Sequence, residues 1–117
     1  MPATIIFGIP NCDTVKKARS WLDKHGIDYQ FHDFRRDGLT DKQIKSWLSK
    51  IELDTLLNKR SRSWRELSES DKSNVTQNKA IKLMTKQPSL IKRPVLIKDK
   101  NIVVGFDPEN YQTLFNK

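Results

Sequence analysis

The 117-residue sequence contains a single cysteine, Cys12. That excludes an internal disulfide, and it excludes a dithiol redox pair as well, because the place of the second cysteine is taken by Val15. One cysteine and two dispersed histidines, His25 and His32, offer no metal-ligand spacing. No apolar run approaches the ~20 residues that span a bilayer. The opening stretch MPATIIFGIPNC has neither a basic leader nor a long apolar segment before a cleavage site. A lone thiol favours a reducing compartment, so the expected location is the cytoplasm, away from membranes. Internal repeats, low-complexity tracts and linkers are lacking too, and residues 1–117 are expected to form one domain, burying roughly two thirds of the surface its unfolded chain exposes. Acidic residues are outnumbered, 14 against 22 Lys and Arg, for a formal charge of +8. Such a balance favours anionic partners: nucleic acid, an acidic protein surface or a small polyanion. The basic residues are spread from Lys16 and Lys17 through Lys59, Arg60 and Arg62 to Lys98 and Lys100, with no arginine-rich tail or finger spacing, so nucleic acid is not the expected partner.

What is present falls into short patterned segments. ATIIFG is an apolar run suited to a strand buried on both faces. After the loop IPN, the residues Val15, Ala18, Trp21 and Leu22 recur at helical spacing, which predicts a helix over 13–24, ended by His25 and Gly26. DYQFHDF predicts a second strand over 28–34. Thr40 can cap a helix bearing Ile44, Trp47, Leu48 and Ile51. LDTLLNKRS reads as a short helix and a basic loop, and residues 63–88 as one or two more helices carrying Leu67, Val75, Ile81, Leu83 and Met84. RPVLIKDKNIVVGF has the pattern of a hairpin. In DPENYQTLFNK, Asp107 caps, Pro108 takes the first helical position, and Tyr111, Leu114 and Phe115 share a face. The order is βαβ, a helical block, then ββα. These units fit an α/β thioredoxin-like fold, a mixed β-sheet flanked by helices, with a helical insertion between the βαβ and ββα units.

That topology puts Cys12 at the start of a helix, where free amides and the helix dipole favour thiolate over thiol. Cysteines so placed, or beside Lys or Arg, ionise at roughly pH 3.5 to 7.5 rather than about 8.5. Lys16, one turn on, can add to this. The other reading of Cys12 is an inert, buried small residue. With no second cysteine, any catalytic cycle requires an external thiol. His25 is about 18 Å along the helix from Cys12 and His32 sits in a strand, so neither is expected to act as its base. Arg60, Arg62 and Arg93 offer planar forks for an anion, or else are solvated surface charge. Arg93 precedes Pro94 at a strand start, where a cis proline can hold the chain beside the active cysteine; the sequence leaves the isomer open.

The NC turn, LLN before a basic loop, IKRPVLI and the terminal VGF together resemble the arsenate reductase (ArsC) and Spx family along essentially the whole chain. GIPNCDTVKKAR, IDYQFHDFRRDGL, LLNKRSRSWREL and IKRPVLI are most similar to its YffB-like branch of reductases, thought to use glutathione. The resemblance implies that Cys12 is the nucleophile and that Arg93 is the RP-motif arginine contacting a bound anion. The chain departs from arsenate reductases of this type in three places. They have an arginine where Asn58 stands, another near the last strand where this chain reads VVGFDP, and a histidine in place of Gly8. Arg60 lies two residues from the first of these. Each charged hydrogen bond is typically worth ~1.5 to 3 kcal/mol, so the thinner set should weaken selection for a tetrahedral oxyanion. The expected function is therefore glutathione-dependent thiol–disulfide reduction by a single nucleophilic cysteine, Cys12. Asn11 and the amides after Cys12 would cradle the sulfur, while Asn58, Arg60, Arg93 and Pro94 would bind substrate. Glutathione enters as co-substrate, with no tightly bound cofactor and no metal. The alternatives are arsenate reduction and a non-enzymatic, Spx-like regulator that binds RNA polymerase, whose usual redox pair is removed here by Val15.

Overall fold

A computed structural model describes residues 4–117; Ala3, expected at the head of the first strand, lies outside the described residues. In chain order the elements are β1 (Thr4–Gly8), α1 (Asp13–Lys24), β2 (Gln30–Asp33), α2 (Asp41–Leu48), α3 (Leu53–Leu56), α4 (Arg62–Arg65), α5 (Glu69–Lys72), α6 (Gln77–Lys86), a 3-10 turn (Pro88–Leu90), β3 (Val95–Lys98), β4 (Asn101–Val104) and α7 (Pro108–Phe115). They group into two compact units, one made of the residues up to Gly38 with Arg93–Lys117, the other of Leu39–Lys92.

The first unit holds the sheet, in the order β2-β1-β3-β4. β1 runs parallel to β2 and antiparallel to β3, and β3 is antiparallel to β4. This is the thioredoxin-like arrangement expected from the element order. β2 is shorter than the expected 28–34. Its ladder opens at the Ile5↔Gln30 pair, and Asp33 already begins a turn, its carboxylate accepting from the Arg35 N–H at 2.9 Å. Phe34 lies past the strand, its N–H donating to the Gly8 carbonyl at 2.9 Å.

Alternation along β1 and β3 sends the registered pair Ile6 and Leu96 to one face. There they meet Ala18, Trp21 and Leu22 of α1 and Tyr111 of α7. Full burial of each large apolar side chain contributes about 1.5 to 3 kcal/mol. Val15, the first inward residue of α1, crosses Gly8 so closely that a Cβ there would lie 2.7 Å from its Cγ2. The missing side chain of Gly8 thus lets the start of α1 settle on the end of β1. Gly26, at φ 64°, ends α1 as expected. α7 starts as read: Asp107 accepts from the Glu109 N–H at 3.0 Å, with Pro108 in the first turn.

Tyr111 is fully buried, edge-on to Trp21 and Phe106, and its hydroxyl has no hydrogen-bond partner among the described residues. Burial raises its pKa above the usual value near 10. Between the ordinary and the raised value, unfolded chains have lost a proton that folded chains keep, so stability falls as pH rises from about 10 upward. Tyr111→Phe is expected to raise stability by about 1 kcal/mol at neutral pH and to flatten that alkaline decline; urea titrations at pH 7 and above pH 10 check both. A loss of stability at pH 7 would mean the hydroxyl is satisfied.

The second unit is helical and heavily capped. Thr40 and Gln43 form a capping box at α2. Ile44 and Trp47 of α2, and Ala80, Ile81 and Met84 of α6, are buried in this unit. Asp41 accepts from the Thr85 hydroxyl at 2.5 Å. Leu48 and Ile51, expected on the inward face of α2, are only half-buried. The one or two helices expected over 63–88 are a correction: the structure has the end of α4, then α5, α6 and the 3-10 turn. Ser68 and Thr76 each accept from the backbone N–H three residues on and so restart the chain as a new helix. Asn74, at φ 51°, separates α5 from α6.

Candidate active site

The loop from β1 to α1 is tight: the Cys12 N–H donates to the Ile9 carbonyl at 3.4 Å, and the Cys12 carbonyl accepts from the Lys16 N–H at 2.9 Å. Cys12 is the N-cap of α1, with extended backbone angles of −95° and 126°. Its thiol is free and half-buried. The amides expected to cradle the sulfur do not bond it, since no side-chain cap bond is made here. A thiol is a weak acceptor, whereas the side-chain oxygens of Thr40, Ser61, Ser68, Thr76 and Asp107 each cap their own helices. Asn11 is exposed in the same turn.

Across the sheet, β3 runs antiparallel to β1 with Phe7 opposite Val95, so Arg93 and Pro94 stand at the end of the sheet from which the Cys12 loop departs. The Arg93–Pro94 peptide is cis. Pro94 is buried, its carbonyl accepting from the Gly105 N–H at 2.8 Å, and Arg93 is half-buried with no acidic partner among the described residues. β2 ends there as well. His32 packs on Phe7 with ring centroids 4.6 Å apart and bonds the Gly38 carbonyl through Nε2 at 2.6 Å. A carbonyl only accepts, so Nε2 carries the proton and His32 holds the turn closed. His25 stacks on Trp21 at 4.0 Å and caps α1 through the Trp21 carbonyl.

Asn58 and Arg60 belong to the second unit. The Asn58 N–H donates to the Leu90 carbonyl at 2.7 Å and the Lys92 N–H to the Leu56 carbonyl at 2.8 Å, around the isolated bridge Leu57↔Ile91. The Asn58 side-chain oxygen accepts from the Arg60 N–H at 3.1 Å. Its first task is thus to fold the basic loop. A cavity of about 510 Å³ lies beside it, lined by Asp54, Leu57, Asn58, Lys59, Arg60 and Lys92. Lys92 donates to the Asp54 carbonyl at 3.0 Å, and Lys59 lies 3.8 Å from the Asp54 carboxylate. Lys59 and Lys92 were not among the expected site residues. The signal for Lys92 was its place beside Arg93 in IKRP; only the pairing of 56–58 with 90–92 brings it to Asn58. The structure thus brings Cys12, Arg93 and Pro94 to one sheet end, and separately gathers Asn58 and Arg60 with two lysines.

Among the described residues no helix is long and apolar enough to cross a membrane, and no group of three or more His, Cys, Asp or Glu is placed to hold a metal ion. The model of the ArsC family matches residues 7–114. The chain belongs to the ArsC family. It is similar to the solved structure of the YFFB protein, with 41% identity and a TM-score of 0.92, covering 94% of this chain and 96% of the other. A protein from Brucella melitensis described as related to arsenate reductase is 45% identical with a TM-score of 0.76, covering 97% of this chain and 95% of the other. The global transcriptional regulator Spx of Lactiplantibacillus plantarum is 30% identical over 90% of this chain and 80% of its own length. Among ArsC-family proteins the chain is thus similar both to a reductase-related protein and to a regulator.

Proposed function

We propose that this ArsC-family protein is a glutathione-dependent thiol–disulfide reductase acting through Cys12 alone. The observation that carries the reading is a free, half-buried cysteine at the N-cap of α1, its sulfur uncommitted to capping, on the same sheet end as Arg93. In the first step the Cys12 thiolate attacks one sulfur of a substrate disulfide. The S–S bond breaks, a Cys12 mixed disulfide forms and the departing thiolate takes up a proton. A glutathione thiolate then attacks the Cys12 sulfur, releasing the second substrate thiol, and a second glutathione attacks the glutathionyl sulfur and frees Cys12. Two glutathiones leave as one glutathione disulfide, and the substrate disulfide becomes two thiols. Arg93, at the Cys12 end of the sheet, offers a cationic fork for a carboxylate of glutathione or substrate. The cytoplasm is the compartment whose glutathione pool suits this cycle.

Incubation with glutathione disulfide is expected to add one glutathionyl group to the intact protein, on Cys12, and excess glutathione to remove it; mass spectrometry reads both. Absence of the adduct overturns the reading. Arsenate-dependent NADPH consumption in a glutathione-coupled assay would instead favour arsenate reduction, which the carboxamide of Asn58, already used in its own turn, does not support. The likeness to Spx carries a second reading, a regulator that binds RNA polymerase, and capture of the polymerase alpha subunit by the Cys12→Ser protein would support it.

A further inference from the structure

On the helical face of the first unit, α1 and the start of α7 border a groove of about 390 Å³, lined by Lys16, Lys17, Trp21, Lys24, Phe106 and Pro108. Its floor is apolar: Trp21 is almost buried, with 9% exposure, and Phe106 packs edge-on to Tyr111. Its rim is cationic. Lys16, Lys17 and Lys24 are exposed, and none has an acidic partner among the described residues. The acid at the α7 end, Asp107, is occupied in capping that helix; Asp13 in the first turn of α1 and Glu109 in the first turn of α7 are further carboxylates near its ends, against three lysines on the rim. The groove also starts beside the reactive residue, since Lys16 is one turn from Cys12 and joined to it by a backbone hydrogen bond.

We infer that this groove docks the protein substrate of Cys12, an acidic peptide segment with an apolar side chain between its carboxylates. The inference rests on the reductase reading for its chemistry, but not for the binding itself. Helical rise fixes the spacing. Lys16 and Lys24 are about 12 Å apart along α1, which an extended peptide covers in three to four residues. The first acid of the segment then sits about two residues from the disulfide held at Cys12. An apolar side chain between the acids falls on Trp21, Phe106 and Pro108, where it leaves water, while both carboxylates stay at a cationic rim. A single-stranded nucleic acid would satisfy the lysines but not require an apolar group between charges.

The test uses full-length Cys12→Ser protein, which can bind but not react, and the peptide Ser-Gly-Glu-Phe-Gly-Glu, followed by amide shifts in NMR titrations. The expected result is salt-sensitive binding that shifts the amides of Lys16, Lys17, Lys24 and Phe106. Affinity should fall about tenfold when both glutamates of the peptide become glutamine, and by a similar factor in a Lys16→Gln, Lys24→Gln double variant. Equal affinity for the glutamate and glutamine peptides overturns the proposal, as do shifts confined to the Asn58 and Arg60 loop. Binding of a single-stranded DNA oligonucleotide more tightly than the peptide on the same residues would replace it with a nucleic-acid surface. Binding of the peptide together with absence of any glutathionyl adduct on the native protein would sink the reductase reading while the groove's occupant stood.

Discussion

Cys12→Ser is expected to abolish thiol–disulfide exchange and to leave the protein at least as stable as before. The activity half follows from covalent chemistry. The sequence has one thiol, so without it no mixed disulfide can form and turnover should drop to the uncatalysed rate. The stability half follows from the position. Serine is among the best N-cap residues, and Cys12 occupies an N-cap where its sulfur makes no cap bond. A hydroxyl there can accept from an amide of the first turn, for a gain of up to about 1 kcal/mol. A position where the fold would be served by serine and the chemistry by cysteine is where stability and activity trade against each other. Urea denaturation and an NADPH-coupled disulfide assay on the same preparation measure both halves. Turnover retained in the variant would remove the mechanism. A loss of more than about 1 kcal/mol would make Cys12 a packing residue rather than a nucleophile.

That position was legible in the sequence because it is local. A strand ending in Gly8, a short loop and a helix with Val15, Ala18, Trp21 and Leu22 at its own period fix where Cys12 lies without help from distant residues. The same holds for α7, where Asp107, Pro108 and Tyr111 supply cap, first turn and buried face within a few residues. Helices α4 and α5 were not legible as separate elements. Each has four residues and buries none, so no apolar period exists to be read, and only the hydroxyls of Ser61 and Ser68 mark their starts. The cavity around Asn58 was half visible. Asn58 and Arg60 are neighbours in the chain, but Lys92 reaches them through hydrogen bonds between residues more than thirty positions apart, which no local pattern announces. The isomer of the Arg93–Pro94 bond was likewise hidden, since the dipeptide is compatible with either form.

Arg93→Ala is expected to raise the KM for glutathione by about ten- to a hundredfold, with a smaller effect on kcat and little on stability. A charge-assisted hydrogen bond to a carboxylate is worth ~1.5 to 3 kcal/mol, which converts to that range. Arg93 is half-buried and holds no acidic partner among the described residues, so its removal leaves no carboxylate stranded, and the fold should change by no more than about 0.5 kcal/mol. Its neighbour Pro94 anchors the backbone through the Gly105 N–H, so the guanidinium is carried by a segment the sheet already fixes, at the end where Cys12 sits. Arg93→Lys separates charge from shape. If a planar fork grips the glutathione carboxylate, lysine should recover only part of the lost affinity; if a point charge suffices, it should recover nearly all. Initial-rate measurements across glutathione concentrations at fixed disulfide, for both variants, distinguish the two. An unchanged KM in Arg93→Ala would return Arg93 to the solvated surface and remove it from glutathione binding.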